Sequence, residues 1–278
     1  MKAGLVSLNT ICPYYTMFPL EFPLARLARA RPGEWVLDPF CGRGTTMFAA
    51  RLRGLGCTGI DSNPIAAAIA AAKLAEVRPG EVVDLARTIL EEKSRVLSDV
   101  PEGAFWRMCF HPETLRDICT LREHFLGSCS TDEEVALRAL MLGILHGPMH
   151  KTEPMYLSNQ MPRTYATKPD AAIRFWKKRG LTTPPLVDVL GAISRRAHFT
   201  FSNAPQAVAG AVYLGDARHA DRLLSPRRLF SWVITSPPYF GMRTYRPDQW
   251  LRNWFLGGGA SRGLRATGAT RSSRRQVR

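Results

Sequence analysis

Residues 34–64, EWVLDPFCGRGTTMFAARLRGLGCTGIDSNP, decide the fold, because their pattern predicts a strand, a tight turn, a helix and a second strand. The apolar run 35–37 predicts the first strand, which stops at Asp38 and at a turn that contains two glycines. We expect Thr45 to cap a helix over residues 46–55 and Gly56 to end it. The segment CTGID, which ends at Asp61, is then the second strand, and this order is typical of an α/β protein.

The turn between the first strand and the helix is a candidate ligand site. Gly42 and Gly44 allow the backbone to approach a ligand and expose N–H groups at a helix N-terminus. Asp61 ends the second strand, where a ribose-binding acid is expected. The turn lacks the lysine of a phosphate-binding loop and the third glycine of a dinucleotide site, so both are disfavoured. Glycines also occur at such turns for packing alone, and that interpretation stays open.

A second motif, TSPPY at residues 235–239, follows another apolar strand over Ser231–Ile234. The motif resembles the [DNS]-P-P-[YFW] signature of enzymes that methylate exocyclic amino nitrogens. Such an amino group is a poor nucleophile until hydrogen-bond acceptors draw on its hydrogens, and a Ser hydroxyl and a Pro carbonyl can be those acceptors. The prolines fix φ, and the aromatic ring offers a face for a base rotated out of its duplex. For these residues alone, an ordinary proline turn after a strand is the alternative.

Together, DPFCGRGTT, the GIDSNP strand end and SPPY resemble the amino-group (cytosine-N4 or adenine-N6) site-specific DNA methyltransferases. The resemblance implies a Rossmann-like α/β core that uses S-adenosyl-L-methionine. Asp216, at the end of a third strand in 211–218, is expected to bind the adenine amino group, and Tyr15 and Pro19 to pack against the methionine end. The implied cofactor residues are Asp38, Phe40, Gly42, Gly44, Thr45, Asp61, Asn63, Asp216 and Tyr15. The implied catalytic residues are Ser236, Pro237, Pro238 and Tyr239.

The chain is expected to divide into a cofactor-binding half (10–74), a helical, partly basic insertion (75–206), a catalytic half (207–258) and a disordered basic tail (259–278). Thr131 and Glu134 form a capping box within the insertion. The short spacing between Asp216 and Ser236 predicts that their strands are neighbours. The resemblance stops near Gly258, which predicts an incomplete seven-stranded sheet and a truncated chain.

The net charge of +15 favours a polyanionic partner, and double-stranded DNA is the expected one. Basic and aromatic residues alternate between positions 163 and 179, as on nucleic-acid surfaces. The alternative is a solvated helix whose Phe175 and Trp176 face the core. The candidate DNA-binding residues are Arg163, Lys168, Arg174, Lys177, Lys178 and Arg179.

Other classes of site are disfavoured by the sequence. The six cysteines contain no CxxC pair, which predicts reduced thiols and no zinc site. His146 and His150 lie one helical turn apart but lack a third ligand, so we expect no metal. Cys41 is expected to be a packing residue and not a reactive one. The chain contains no Pro-Cys pair, which disfavours a cytosine C5 methyltransferase. With no signal peptide and no apolar run long enough to span a bilayer, a cytoplasmic protein is expected.

The function predicted from these motifs is S-adenosylmethionine-dependent methylation of an amino group in DNA. Ser236 before the two prolines favours cytosine N4 over adenine N6. A restriction-modification system is the expected context, with a cognate endonuclease or a second polypeptide that completes the fold as candidate partners. An RNA amino-methyltransferase and an inactive remnant that binds cofactor or DNA remain the alternatives.

Overall fold

The computed structural model describes residues 3–14, 18–92, 97, 99–127, 129–150, 153–238 and 246–258. These residues form a mixed α/β structure around a parallel four-stranded sheet, which is consistent with a Rossmann-like methyltransferase fold. The strands are β1 (Trp35–Asp38), β2 (Gly56–Asp61), β3 (Gly210–Leu214) and β4 (Trp232–Val233). The α-helices are α1 (Glu21–Arg26), α2 (Thr45–Leu52), α3 (Pro64–Ala71), α4 (Pro79–Glu91), α5 (Ala104–Cys109), α6 (Pro112–Gly127), α7 (Asp132–Ile144), α8 (Pro169–Arg179), α9 (Val189–Phe201), α10 (Ala220–Leu223) and α11 (Trp250–Phe255). Short 3₁₀ helices cover Ala3–Thr10, Leu27–Arg29, Ala217–His219 and Arg246–Gln249.

The strand order in the sheet is β3-β2-β1-β4, and every pairing is parallel. β3 and β4 therefore lie on opposite sides of the β1–β2 pair, and the prediction that they are neighbours is wrong. The short spacing between Asp216 and Ser236 was a poor guide to strand order, because two strands that are close in the chain can join opposite edges of the sheet. β3 pairs with the outer side of β2, and β4 pairs with the outer side of β1.

Helix α2 packs on β1 and β2 and is buried on nearly all sides, so seven of its eight residues lie in the interior. Its N-cap is Gly44, which has no side chain to cap with, so the predicted Thr45 cap is wrong. Thr45 is the first residue of the helix itself, and its hydroxyl is buried without a hydrogen-bond partner among the described residues. The helix ends at Leu52, before Gly54 adopts φ +68°, rather than at Gly56, which begins β2.

Helices α4 to α9 lie between β2 and β3 in the chain and pack with α3 into one continuous hydrophobic core. Helix α4 contacts α6, α7 and α9, and α7 also packs on α3. The predicted capping box at the start of α7 is present: Thr131 accepts from the Glu134 N–H, and Glu134 accepts from the Thr131 N–H. No helix in the described ranges is long and apolar enough to cross a membrane.

Five aromatic residues form a cluster that packs α11 against the helical layer. Trp106 of α5 lies with its ring centroid 4.6 Å from Trp254 and 5.9 Å from Trp250. Phe105 connects Trp250, at 4.9 Å, to Trp176 of α8, at 5.5 Å. All of these side chains are buried. This aromatic cluster fixes the helix that follows the SPPY segment in the chain.

Candidate active site

The site is built at the carboxyl edge of the sheet, where the strand ends meet because all four strands run parallel. Asp38 ends β1, Asp61 ends β2, and Asp216 follows β3 after one glycine. Ser236 follows β4 on the other side of β1. After β1 the chain continues to β2 on one side, whereas β4 pairs with β1 on the other side. The carboxyl ends of β1 and β4 therefore form a topological switch point. Ligands bind at such points in open α/β sheets.

The turn after β1 is shaped by its two glycines. Gly42 has φ +51° and Gly44 has φ +79°, which only glycine adopts without strain. A Cβ on Gly42 would meet no atom within 4 Å, whereas one on Gly44 would lie 2.8 Å from the Cα of Ala70. Gly44 therefore allows α2 and α3 to approach each other, and the space beside the Gly42 backbone is open.

Asp61 ties this turn to β2. Its Oδ2 accepts the Gly42 N–H at 2.8 Å, and its Oδ1 accepts the Asn63 N–H at 2.8 Å. Burial raises the pKa of Asp61, while these two backbone hydrogen bonds act to lower it. Each carboxylate oxygen keeps a lone pair for a further donor, so Asp61 can receive hydroxyl groups of a ligand.

Asp38 lies deeper, between the turn and β4. Its Oδ1 accepts the Phe40 N–H at 3.1 Å, and its buried Oδ2 makes no hydrogen bond of normal geometry within the described residues. Burial raises the pKa of Asp38, and the nearby hydroxyls of Thr46 and Thr235 oppose that rise. Thr46 itself donates to the Ile234 carbonyl at 3.3 Å, so it connects α2 to the end of β4.

The N-terminal segment reaches the site through Tyr14, not through a residue that the sequence singled out. The Asn63 side-chain amide donates to the Tyr14 hydroxyl at 2.8 Å, and Asn63 also caps α3 by accepting the Ile65 N–H. Burial raises the pKa of Tyr14, so its hydroxyl stays protonated. Tyr15 lies outside the described residues.

Of two further candidate cofactor residues, Phe40 is exposed and Asp216 is half-buried. Phe40 is 40% exposed on the turn. Asp216 is engaged by Arg218, whose Nη2 lies 2.5 Å from Oδ2 and whose Nε lies 3.1 Å from Oδ1. This pairing lowers the pKa of Asp216 to about 2. Asp216 is therefore an ionised acceptor, and a ligand amino group would share it with Arg218.

Ser236, Pro237 and Pro238 leave β4 as an exposed segment at the same edge. Tyr239 lies outside the described residues. Cys41 is buried against Gly59 of β2, and burial together with the charges of Asp38 and Asp61 raises its pKa well above the usual value. A thiolate nucleophile is therefore disfavoured at this position. Among the described residues, no group of three or more His, Cys, Asp or Glu side chains could hold a metal ion.

The predicted DNA-binding residues fall into two places. Arg174, Lys177, Lys178 and Arg179 are exposed on α8, with Lys168 at its N-cap, while Arg163 is exposed on the preceding segment. Trp176 is fully buried and its indole N–H donates to the Gln160 carbonyl at 2.8 Å, whereas Phe175 is 42% exposed beneath Arg179. The alternative of a core-facing pair thus holds for Trp176 only.

Sequence reasoning missed Tyr14, Thr46 and Thr235, although each stands beside a residue that it selected. Thr46 follows Thr45, and Thr235 precedes Ser236. A single hydroxyl side chain leaves no periodic pattern in the sequence. The ends of β1 and β4, near which Thr46 and Thr235 lie, come together only because these two strands pair. The contact that Thr46 makes with the end of β4 therefore depends on the order of the strands in the sheet.

Residues 14–72 match the family model described as DNA methylase. The matched segment begins at Tyr14 and runs through β1, α2 and β2 into α3, so it covers the turn and Asp61. The match supports an amino-group DNA methyltransferase family, and the resemblance predicted from the motifs is confirmed. No curated protein matches the chain.

Proposed function

We propose that this chain transfers a methyl group from S-adenosylmethionine to an exocyclic amino group in DNA, with cytosine N4 as the preferred target. The observation that carries the proposal is the placement of two motifs on neighbouring strands: the Asp38–Gly44 turn leaves β1, and the SPP segment leaves β4 beside it. The DNA methylase match to residues 14–72 supports the same chemistry.

The site fits the cofactor in the chemistry of its hydrogen-bonding groups. S-adenosylmethionine presents an ammonium group, ribose hydroxyls and an adenine amino group, all of which donate hydrogen bonds. The sheet edge offers carboxylate acceptors at Asp38, Asp61 and Asp216. The Oδ2 of Asp38 is buried near the hydroxyls of Thr46 and Thr235 and makes no hydrogen bond of normal geometry within the described residues, so it can accept from a further donor. We assign Asp38 to the ammonium group, Asp61 to the ribose and Asp216 to the adenine, with Gly42 as the open backbone between them.

When bound, the cofactor supplies an electrophilic methyl group on a positively charged sulfur. The chain's own residues then act on the nucleophile. The Ser236 hydroxyl oxygen and the Pro237 carbonyl accept the amino hydrogens, which favours a pyramidal nitrogen with an available lone pair. The exposed position of Ser236 allows the displaced proton to leave to water. Tyr239 is assigned to stack on the extruded base.

The exposed cations of α8 are assigned to DNA phosphates. No acid within the described ranges forms an ion pair with Lys177, Lys178 or Arg179, so their charges are available to a polyanion. The choice of cytosine N4 rests on Ser236, and a partnership with a restriction endonuclease rests on the resemblance alone.

The test is methyl transfer to duplex DNA, followed with tritiated cofactor, after which the methylated nucleoside is identified by mass spectrometry. We expect N4-methylcytosine from the wild type and none from Ser236→Ala, which should still bind S-adenosylmethionine. Ser225→Ala, at an exposed serine between α10 and β4, is the matched control and should retain activity. N6-methyladenine would correct the target, and methylated RNA would favour the RNA enzyme. Cofactor binding without transfer would favour the inactive remnant.

A further inference from the structure

A groove of about 630 Å³ lies outside the strand-end site and is lined by Pro148, His150, Glu153, Met155, Tyr156, Arg163 and Arg196. It is named here the Arg163–Arg196 groove. We propose that it binds one nucleotide of the DNA substrate, with the phosphate on the arginines and the base against the Tyr156 ring. The inference rests on the proposed function, because it takes the polyanion to be DNA.

The first argument is charge. Arg163 is exposed and has no acid partner within the described residues, and Arg196 likewise forms no ion pair there. Burial lowers the pKa of Arg196, the nearby Tyr156 and Cys12 act to raise it, and the charge of Arg163 has a smaller lowering effect. The carboxylate of Glu153, the acid in the groove, lies 3.7 Å from Arg195 and is paired with that residue. A phosphate in the groove would compensate the like charges of the two arginines that line it.

The second argument is the flat surface beside these charges. Tyr156 and His150 have ring planes only 18° apart and centroids separated by 6.4 Å. The Tyr156 ring lies directly over Gly147, where an added Cβ would come within 2.4 Å of the ring. Next to it, Met155 is 43% exposed. Charge interleaved with aromatic faces is the arrangement that binds a nucleotide by its phosphate and its base together.

The third argument is position. The Arg196 Nη2 donates to the Thr10 carbonyl at 2.7 Å, and the segment it holds continues to Tyr14, the partner of Asn63 in the candidate site. The Arg163 carbonyl accepts from Arg252 of α11, the helix that follows the SPPY segment. Both arginines are thus anchored to segments that lead into the strand-end site, so the groove is placed to hold DNA that flanks the target base.

The groove is tested by DNA binding of the full chain, measured by fluorescence anisotropy with a labelled 20-base-pair duplex over a range of salt. Arg163→Gln should reduce the slope of log affinity against log salt by about one. Its control, Arg29→Gln, removes the charge of another exposed arginine and should leave the slope near wild type. Tyr156→Leu should weaken binding about fivefold or more, because it removes the stacking face. Tyr156→Phe keeps that face and should bind like the wild type.

Cofactor binding by each variant, measured by calorimetry, separates this inference from the proposed function. Unchanged cofactor binding shows that a variant is folded and that its defect lies in DNA contact. If the wild type binds cofactor and DNA but both test variants match their controls, the groove inference is wrong and the proposed function stands. If DNA binding depends on the groove but no methyl group is transferred, the proposed function is wrong and the groove stands. Preference for single-stranded RNA over the duplex would overturn the assignment of the groove to DNA.

Discussion

At the scale of single residues, Asp61 is expected to perform two tasks with one carboxylate group. It holds the Gly42 turn and the start of the Asn63 segment through backbone N–H groups. It is also the residue proposed to bind the ribose. Because each oxygen already has one protein donor, the ligand receives a carboxylate whose orientation is fixed before binding.

We expect Asp61→Ala to weaken S-adenosylmethionine binding about tenfold or more, because hydrogen bonds to a charged partner contribute about 1.5 to 3 kcal/mol. Asp61→Asn should lose less, since its amide oxygen can still accept one of the two backbone donors. Calorimetric titration with the cofactor measures both. Asp84→Ala, at an exposed acid on α4, is the control and should bind normally. Equal affinity in Asp61→Ala and the control would remove Asp61 from the site.

At the scale of elements, the pattern of apolar residues predicted most of the helices and strands that surround the site. The strand before Asp38, the strand before Asp61 and the helix after Thr131 lie where periodicity and capping residues indicated. The start of α2 was misjudged because Gly44 closes the turn by its own backbone conformation, which leaves no role for a side-chain cap. The β3–β4 relation was misjudged because strand order depends on long-range pairing, which local pattern does not contain.

The two glycines of the turn allow the packing of α2 against α3 to be tested by a matched pair. Gly42→Ala introduces positive-φ strain into open space, which should cost about 1 to 2 kcal/mol. Gly44→Ala adds the same strain and also forces a methyl group to 2.8 Å from Ala70, so overpacking should raise its cost by about 1 to 3 kcal/mol more. Urea unfolding gives both values. Equal stability of the two variants would contradict the close helix approach.

The basic end of α8 is the second element whose role can be measured. Replacing Lys177, Lys178 and Arg179 by alanine should flatten the salt dependence of DNA binding by roughly 2 to 3 in slope if all three contact phosphates. Arg29, Arg31 and Arg107 are exposed arginines elsewhere, and their triple replacement by alanine is the control. A triple α8 variant with the slope of this control would leave these residues as a solvated face that stabilises the helix C-terminus.

At the scale of the whole molecule, a buried histidine couples stability to acid. His146 is fully buried; its Nδ1 hydrogen-bonds the Pro162 carbonyl at 2.9 Å, and burial lowers its pKa to about 3. Between pH 6.5 and that value, the unfolded chain binds a proton that the folded chain does not, so stability must fall as the pH falls. Above pH 6.5 the residue is neutral in both states and contributes no pH dependence.

His146→Asn removes this titration while keeping a side-chain N–H for the Pro162 carbonyl. Relative to this variant, the wild type should lose up to about 1.4 kcal/mol of unfolding free energy per pH unit as the pH is lowered below 6.5. Urea unfolding at pH 7, 6 and 5 measures the difference. His150→Asn, at an exposed histidine, serves as the control. Parallel pH curves for the wild type and His146→Asn would show that the folded chain accepts the proton.

The position of three carboxylates at one edge of the sheet was predictable from the sequence, but their surroundings were not. Asp38, Asp61 and Asp216 lie at the ends of apolar strands, and parallel strands bring such ends to one edge, whereas the roles of these residues in ligand binding stay predictions. The Arg163–Arg196 groove joins residues from distant parts of the chain, and the contact of Thr46 with Ile234 depends on β4 lying beside β1. The groove depends on the packing of the helical layer, and the contact of Thr46 depends on the strand order. Neither can be read from local sequence pattern.

The aromatic cluster around α11 gives the molecule an optical property. The chain has six tryptophans, and Trp106, Trp176, Trp250 and Trp254 belong to this cluster, while Trp35 and Trp232 lie on neighbouring strands. Trp106 lies within 5.9 Å of both Trp250 and Trp254, so the fluorescence of these three indoles reports a single place, the contact between α11 and α5. A substrate that displaces α11 is therefore expected to change the tryptophan fluorescence of the unlabelled protein.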